Sequence, residues 1–162
     1  MNMYANDSRT VADTLEVPLD RFCYMMAKTF INDIDNTMNE YFDLMEEAIN
    51  SFDNYDVLSH IDFGFKTVVM IDPSYKFNYF EDRIIRIFKL IIKKNKALEI
   101  NSKVMKTINE IYLVNDKNYK YDDHLRYLLK LYKANGGKKL TLSSDAHNKE
   151  SYRLDFDKHI EV

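Results

Sequence analysis

The stretch Leu140-Thr141-Leu142-Ser143-Ser144-Asp145-Ala146-His147 runs from an apolar, β-prone segment into a carboxylate and, two residues on, an imidazole. Side chains at i and i+2 of an extended chain share a face. Asp145 and His147 are therefore placed to enter one metal site at the open end of a sheet or barrel. The design recurs upstream, where Tyr55-Asp56-Val57-Leu58-Ser59-His60 reads as a short strand with a histidine at its carboxyl end. Between them, Ala97-Leu98-Glu99-Ile100-Asn101 reads as another strand with a polar ending.

Helical periodicity separates these strands. From Asn36, taken as an N-cap, Met38, Tyr41, Phe42, Met45 and Ile49 recur at helical spacing, and Glu40, Asp43, Glu46 and Glu47 hold the solvated side. A loop with Gly64, Asp72 and Pro73 follows the strand at 55–60. A second amphipathic helix over about 80–95 carries Ile84, Ile87, Phe88, Ile91 and Ile92, with Lys93, Lys94 and Lys96 suiting the negative end of its dipole. After an irregular stretch rich in Asn, Lys and Tyr, a third helix covers Asp123 to Ala134. Leu125, Leu128, Leu129 and Tyr132 face inward, and Gly136-Gly137 stops it. A short helix from about Lys149 closes the chain. Residues 1–35 show no sustained period and form an N-terminal segment of unclear role, with Met25, Met26 and Phe30 in a short helix; residues 36–162 form the structured part. Strands that alternate with helices predict an α/β fold with a parallel sheet, part of a barrel or open sheet. Ligands of such folds sit at the carboxyl ends of the strands, where His60, Glu99 with Asn101, and Asp145 with His147 all fall.

Composition narrows the class of function. With 46% hydrophobic and 30% charged residues the chain is globular rather than disordered. A net charge of −3 with interspersed signs gives no basic surface for nucleic acid. No apolar run is long enough to span a membrane, and the polar start lacks a signal-peptide core. Cys23 is the single cysteine, which excludes an internal disulfide framework and fits a reducing cytoplasm; it reads as a small buried apolar residue, not a nucleophile. Glu99, set in an apolar strand, needs a partner, a metal or solvent. His124, at a helix start, and His159, beside Asp157 and Lys158, read as solvated.

Ser144-Asp145-Ala146-His147, with Lys149-Glu150 and Leu154-Asp155-Phe156-Asp157-Lys158 after it, resembles the C-terminal signature of histidinol-phosphate phosphatases of the polymerase-and-histidinol-phosphatase (PHP) superfamily. Asp56-Val57-Leu58-Ser59-His60-Ile61-Asp62 is similar to a strand-end motif of that family, and Ala97-Leu98-Glu99-Ile100-Asn101 to its "L-E-I-N" strand. The resemblance spans roughly residues 36–162. It implies part of a distorted seven-stranded (β/α) barrel, a cytoplasmic enzyme of histidine biosynthesis and hydrolysis of a small phosphorylated substrate. It implies a cluster of divalent ions (Zn, Mn or Fe) at the barrel mouth, with His60, Asp145 and His147 as metal ligands. Glu99 and Asn101 would lie near the site, outside the ligand set.

The family's barrel opens with a strand carrying His-x-His and takes further His and Glu ligands from its first half. Here no histidine precedes His60, no His-x-His occurs, and Phe30-Ile31-Asn32-Asp33-Ile34-Asp35 stands where a loop histidine is expected. The resemblance thus implies a C-terminal half that keeps its own ligands. It is completed by a missing N-terminal half or a second polypeptide, or it associates as a homo-oligomer through open strand edges. The alternatives are a truncated or degenerate relative without catalysis, and a PHP hydrolase for another phosphoester.

Overall fold

A computed structural model describes residues 33–146 and 148–160. Cys23, Met25, Met26, Phe30 and His147 lie outside the described residues. Contacts divide the chain between Thr37 and Met38, and the core below belongs to the later unit.

Among the described residues the elements are α1 (Ile34–Ser51), β1 (Val57–Leu58), α2 (Phe63–Ile71), a 3-10 turn (Phe77–Phe80), α3 (Glu81–Lys93), β2 (Ala97–Asn101), α4 (Ser102–Asn115), α5 (Asp123–Ala134), β3 (Leu140–Ser143) and α6 (Phe156–Ile160). The three strands form one parallel sheet in the order β1-β2-β3. Val57 pairs with Ala97, Leu98 with Leu140, and Asn101 with Ser143, so the carboxyl ends of all three strands reach the same edge. The parallel, helix-alternating arrangement read from the sequence is the one formed. The sheet is open among the described residues, with β1 and β3 at its edges.

Local sequence explains most boundaries. Asp33, not Asn36, caps α1, since its carboxylate accepts the Asn36 amide at 3.0 Å. On that helix Met38, Phe42 and Ile49 are buried, while Asp43 and Glu46 meet Arg83 of α3. Ile84, Ile87, Phe88 and Ile91 bury the inner face of α3 completely. α5 ends where Gly136 takes a φ of 92° and the Gly137 amide returns to the Tyr132 carbonyl at 2.9 Å. A Cβ on Gly137 would run into the Tyr132 ring, so glycine is needed there for space. Leu98 and Ile100 of β2 stand between the helices as the buried centre of the sheet.

Two helices replace segments read as irregular. The loop after β1 contains α2, whose Phe65, Val68 and Val69 are buried. The stretch after β2 is α4, with Val104, Met105, Ile108 and Tyr112 buried and Asn101 as its cap: the Asn101 carboxamide oxygen accepts the Val104 amide at 3.1 Å. The closing helix begins at Phe156, after a run of turns, and not at Lys149. No helix among the described residues is long and apolar enough to cross a membrane.

Candidate functional site

β1 is short, and the chain leaves it through His60, whose φ of 64° lies in the left-handed region. A non-glycine residue there needs support from its surroundings. His60 has it on both sides. Its amide donates to Glu99 Oε2 at 3.1 Å, and its carbonyl accepts the Tyr41 hydroxyl and, at 3.1 Å, the Phe63 amide. This accounts for Glu99: a carboxylate 9% exposed inside a strand has found a buried N–H donor.

The His60 ring is held from the same side. Nδ1 lies 3.3 Å from Asn101 Nδ2 and 3.5 Å from Glu99 Oε2. The orientation of the Asn101 amide is fixed by its other bond, since its oxygen caps α4 and leaves only the NH2 for His60. Facing that donor, Nδ1 accepts, and the proton of the neutral ring sits on Nε2. When Nδ1 carries the proton, Glu99 is the acceptor within reach. Glu99 and Asn101 are therefore the backing of His60. In metal sites a carboxylate behind an imidazole sets its tautomer and orientation in this way.

Asp145 follows β3, with a φ of 47° and its amide donating to Ser143 Oγ at 3.1 Å. It shares the strand-end region with two amines. Burial lowers the pKa of the Lys66 ammonium, and the like charge of Lys103 adds to the effect; Asp145 and Asp62 oppose it. Lys66 Nζ also sits 4.0 Å from the centre of the Phe63 ring, which is in contact with the His60 ring at 5.4 Å between centroids. His60, Glu99 and Asn101 are thus in contact at this end of the sheet; Lys66 lies on the Phe63 ring that meets His60, and Lys103 and Asp145 act on the Lys66 ammonium. Sequence reasoning missed both lysines; the signal for them was their place in the first turn of the helix that follows a strand.

The donor types, an imidazole and a hard carboxylate, fit a divalent ion. Their number does not complete a site: among the described residues no three His, Cys, Asp or Glu side chains converge to hold one. A protein-held ion ordinarily takes three or four donors.

The two histidines read as solvated are both buried. His124 Nε2 donates to Asp62 Oδ2 at 3.1 Å, and the two side chains are only 4% and 3% exposed. The His124 ring stacks on Phe65 and tilts against Phe77. His159 is buried with Nδ1 3.4 Å from Asp122 Oδ1. The signal for His124 was spacing: it shares a stripe with Leu125, Leu128 and Tyr132, so burial carried it inward.

The described chain is thus an α/β fold with a three-stranded parallel sheet, and His60, Glu99, Asn101 and Asp145 lie at or just past the carboxyl ends of its strands. The chain is 28% identical over 116 residues to a Clostridium acetobutylicum protein named "Probable histidinol-phosphatase", covering 72% of this chain and 41% of that protein. It is 26% identical over 113 residues to the histidinol-phosphatase of Lactococcus lactis, covering 70% of this chain and 38% of that protein. It therefore spans about two fifths of the length of these relatives. No family model matches the chain, and no solved structure does.

Proposed function

We propose that the chain is part of a metal-dependent phosphomonoesterase of the histidinol-phosphatase kind, acting on a small phosphorylated substrate. One observation carries this reading: His60, backed by Glu99 and Asn101, stands at the strand edge where Asp145 and the Lys66–Lys103 pair also lie. The relatives named histidinol-phosphatase support the choice of substrate. His60, Asp145 and His147 are the proposed ligands of Zn, Mn or Fe. When bound, such ions activate water and offset phosphoryl charge. In this reading the chain's own contribution would be to orient the His60 ring and to offer the Lys66 and Lys103 ammonium groups to a phosphate dianion. That dianion would relieve the repulsion between Lys66 and Lys103.

Donors from beyond the described set are needed to complete each ion's shell. The isolated chain should accordingly bind divalent metal weakly and release phosphate from histidinol phosphate poorly or not at all. Equilibrium dialysis against Mn2+ and Zn2+, run beside a phosphate-release assay, tests this. The expected result is weak binding that Asp145→Ala and His147→Ala abolish. Absence of metal binding even at millimolar ion, on the order of the weakest protein sites, would overturn the metal-site reading. Stoichiometric metal with turnover in the ordinary range of about 1–1000 per second would overturn the claim that donors are lacking.

A further inference from the structure

Asp62 and His124 form a buried pair that the proposed chemistry does not use. Asp62 lies two residues after His60, at the start of α2, and its carboxylate is reached by His124 from the first turn of α5. The far end of the pair is fixed in turn. The His124 amide donates to the Tyr119 hydroxyl, which donates to Asn109 Oδ1 at 2.6 Å, and Asn109 also accepts the Asp122 amide at 2.9 Å. Phe65 and Phe77 close on the His124 ring and keep water away. The chain from His60 to Asp62 is thus tied at three points: to β2 through Glu99, to α1 through Tyr41, and to the α4–α5 corner through His124.

The geometry points to Asp62 and His124 as positioning residues for His60. A left-handed φ at a non-glycine residue is held only where the surroundings over-determine it. Glu99 and Tyr41 grip His60 itself, and its carbonyl also accepts the Phe63 amide in a local turn, but none of these ties the residues after it to the α4–α5 corner. Asp62 does so, because its side chain is anchored in a part of the fold that the β1–β2 contacts do not reach. Without the anchor, the turn is held only by its local bond and by the buried Ile61, and His60 is freer to leave the left-handed region and carry its ring off Asn101. Neither member of the pair touches substrate or metal in this scheme. The inference rests on the site reading only in giving His60 a purpose; the mechanical claim stands on the contacts.

Amide hydrogen exchange and the ring-proton shift of His60, read by NMR at one pH on the whole chain without metal, test it. In Asp62→Ala the His60 amide should exchange at least about tenfold faster, and its ring resonance should move. Asp62→Asn, which keeps an oxygen to accept from His124, should restore exchange to near the parent rate. Ile91→Val, a core change on α3 near the amino end of the sheet that lowers overall stability, should leave the ratio of His60 to Leu98 exchange unchanged. Should Asp62→Ala not fold, His124→Phe, which keeps the ring packing on Phe65 and Phe77 and removes the donor, is read the same way. A His60 amide as protected in these variants as in the parent, or one that loosens only in step with Leu98, overturns the proposal. Metal titration of the parent chain judges the site reading separately, so failure of one is distinguishable from failure of the other.

Discussion

Single side chains in this protein often serve an element other than their own, and Lys94 shows it most plainly. By sequence its charge suits the end of α3. In the fold its ammonium reaches across to the end of α1, donating to the Ile49 carbonyl at 2.6 Å and to Asp53 Oδ1 at 2.6 Å. It satisfies carbonyls that α1 cannot bond internally and places positive charge at the negative end of that helix. Lys94→Met keeps the aliphatic stem and removes the charge. It should cost about 1 kcal/mol, read as a lower urea midpoint with unchanged slope; a midpoint equal to the parent's would show that water replaces the ammonium without loss. His124 teaches the same point in reverse. A polar residue on an apolar stripe is carried into the interior, and it is tolerated there because Asp62 meets it.

The elements that could be read from sequence are those whose pattern was uninterrupted. α3 shows four fully buried side chains at helical spacing, and α5 carries a leucine stripe followed by two glycines. α2 was not legible: FGFKTVVMI is nine residues, apolar nearly all round, with a glycine and β-branched residues inside, so no face stands out. α4 was hidden by polar residues that are themselves buried. Ser102 and Asn109 interrupt its stripe, although Val104, Met105, Ile108 and Tyr112 keep the period. The cue overlooked was Asn101, which ends β2 and caps α4 in one step. The strand endings His60, Glu99, Asn101 and Asp145 were legible because a two-residue period and a parallel sheet fix which edge they reach. The partners of His60 were not, since they depend on side-chain contacts between strands 39 and 41 residues apart in sequence. The dual role of Asn101 gives a prediction for the element. Asn101→Ala should cost about 1 kcal/mol through loss of the cap. Asn101→Ser, which can still cap but cannot reach His60, should recover most of that stability. Both variants should shift the His60 ring resonance alike. Equal stability loss in the two would show that the cap is not what Asn101 contributes.

Over the whole molecule, the distribution of phenols sets how the fold responds to alkali. Among the described residues six tyrosines, Tyr55, Tyr112, Tyr119, Tyr121, Tyr127 and Tyr132, have their pKa values raised, in each case chiefly by burial. Tyr112 donates to the Tyr75 carbonyl, Tyr119 to Asn109 and Tyr127 to Glu81, so several phenols hold separate elements together. The sign of the linkage follows. A group whose folded pKa is raised contributes stability that is fully present below its unfolded value, near pH 10 for tyrosine. That stability is lost as pH rises from there toward the folded value, because the unfolded chain releases the proton first. Lys66 acts in the opposite sense, since its folded pKa is lowered and its proton is lost more readily from the native chain. One such group does not offset six. Stability should therefore be nearly flat through neutral pH, apart from the histidine and carboxylate regions, and fall steeply above about pH 10. Tyrosinate absorbance should appear together with loss of helical circular dichroism in one cooperative step. Tyr127→Phe removes one phenol and its 2.6 Å bond to Glu81, so it should lower stability by about 1 kcal/mol at neutral pH. It should also make the alkaline fall shallower. Tyrosines that ionise gradually near pH 10 while the circular dichroism stays native would show that these phenols are open to solvent and hold nothing together.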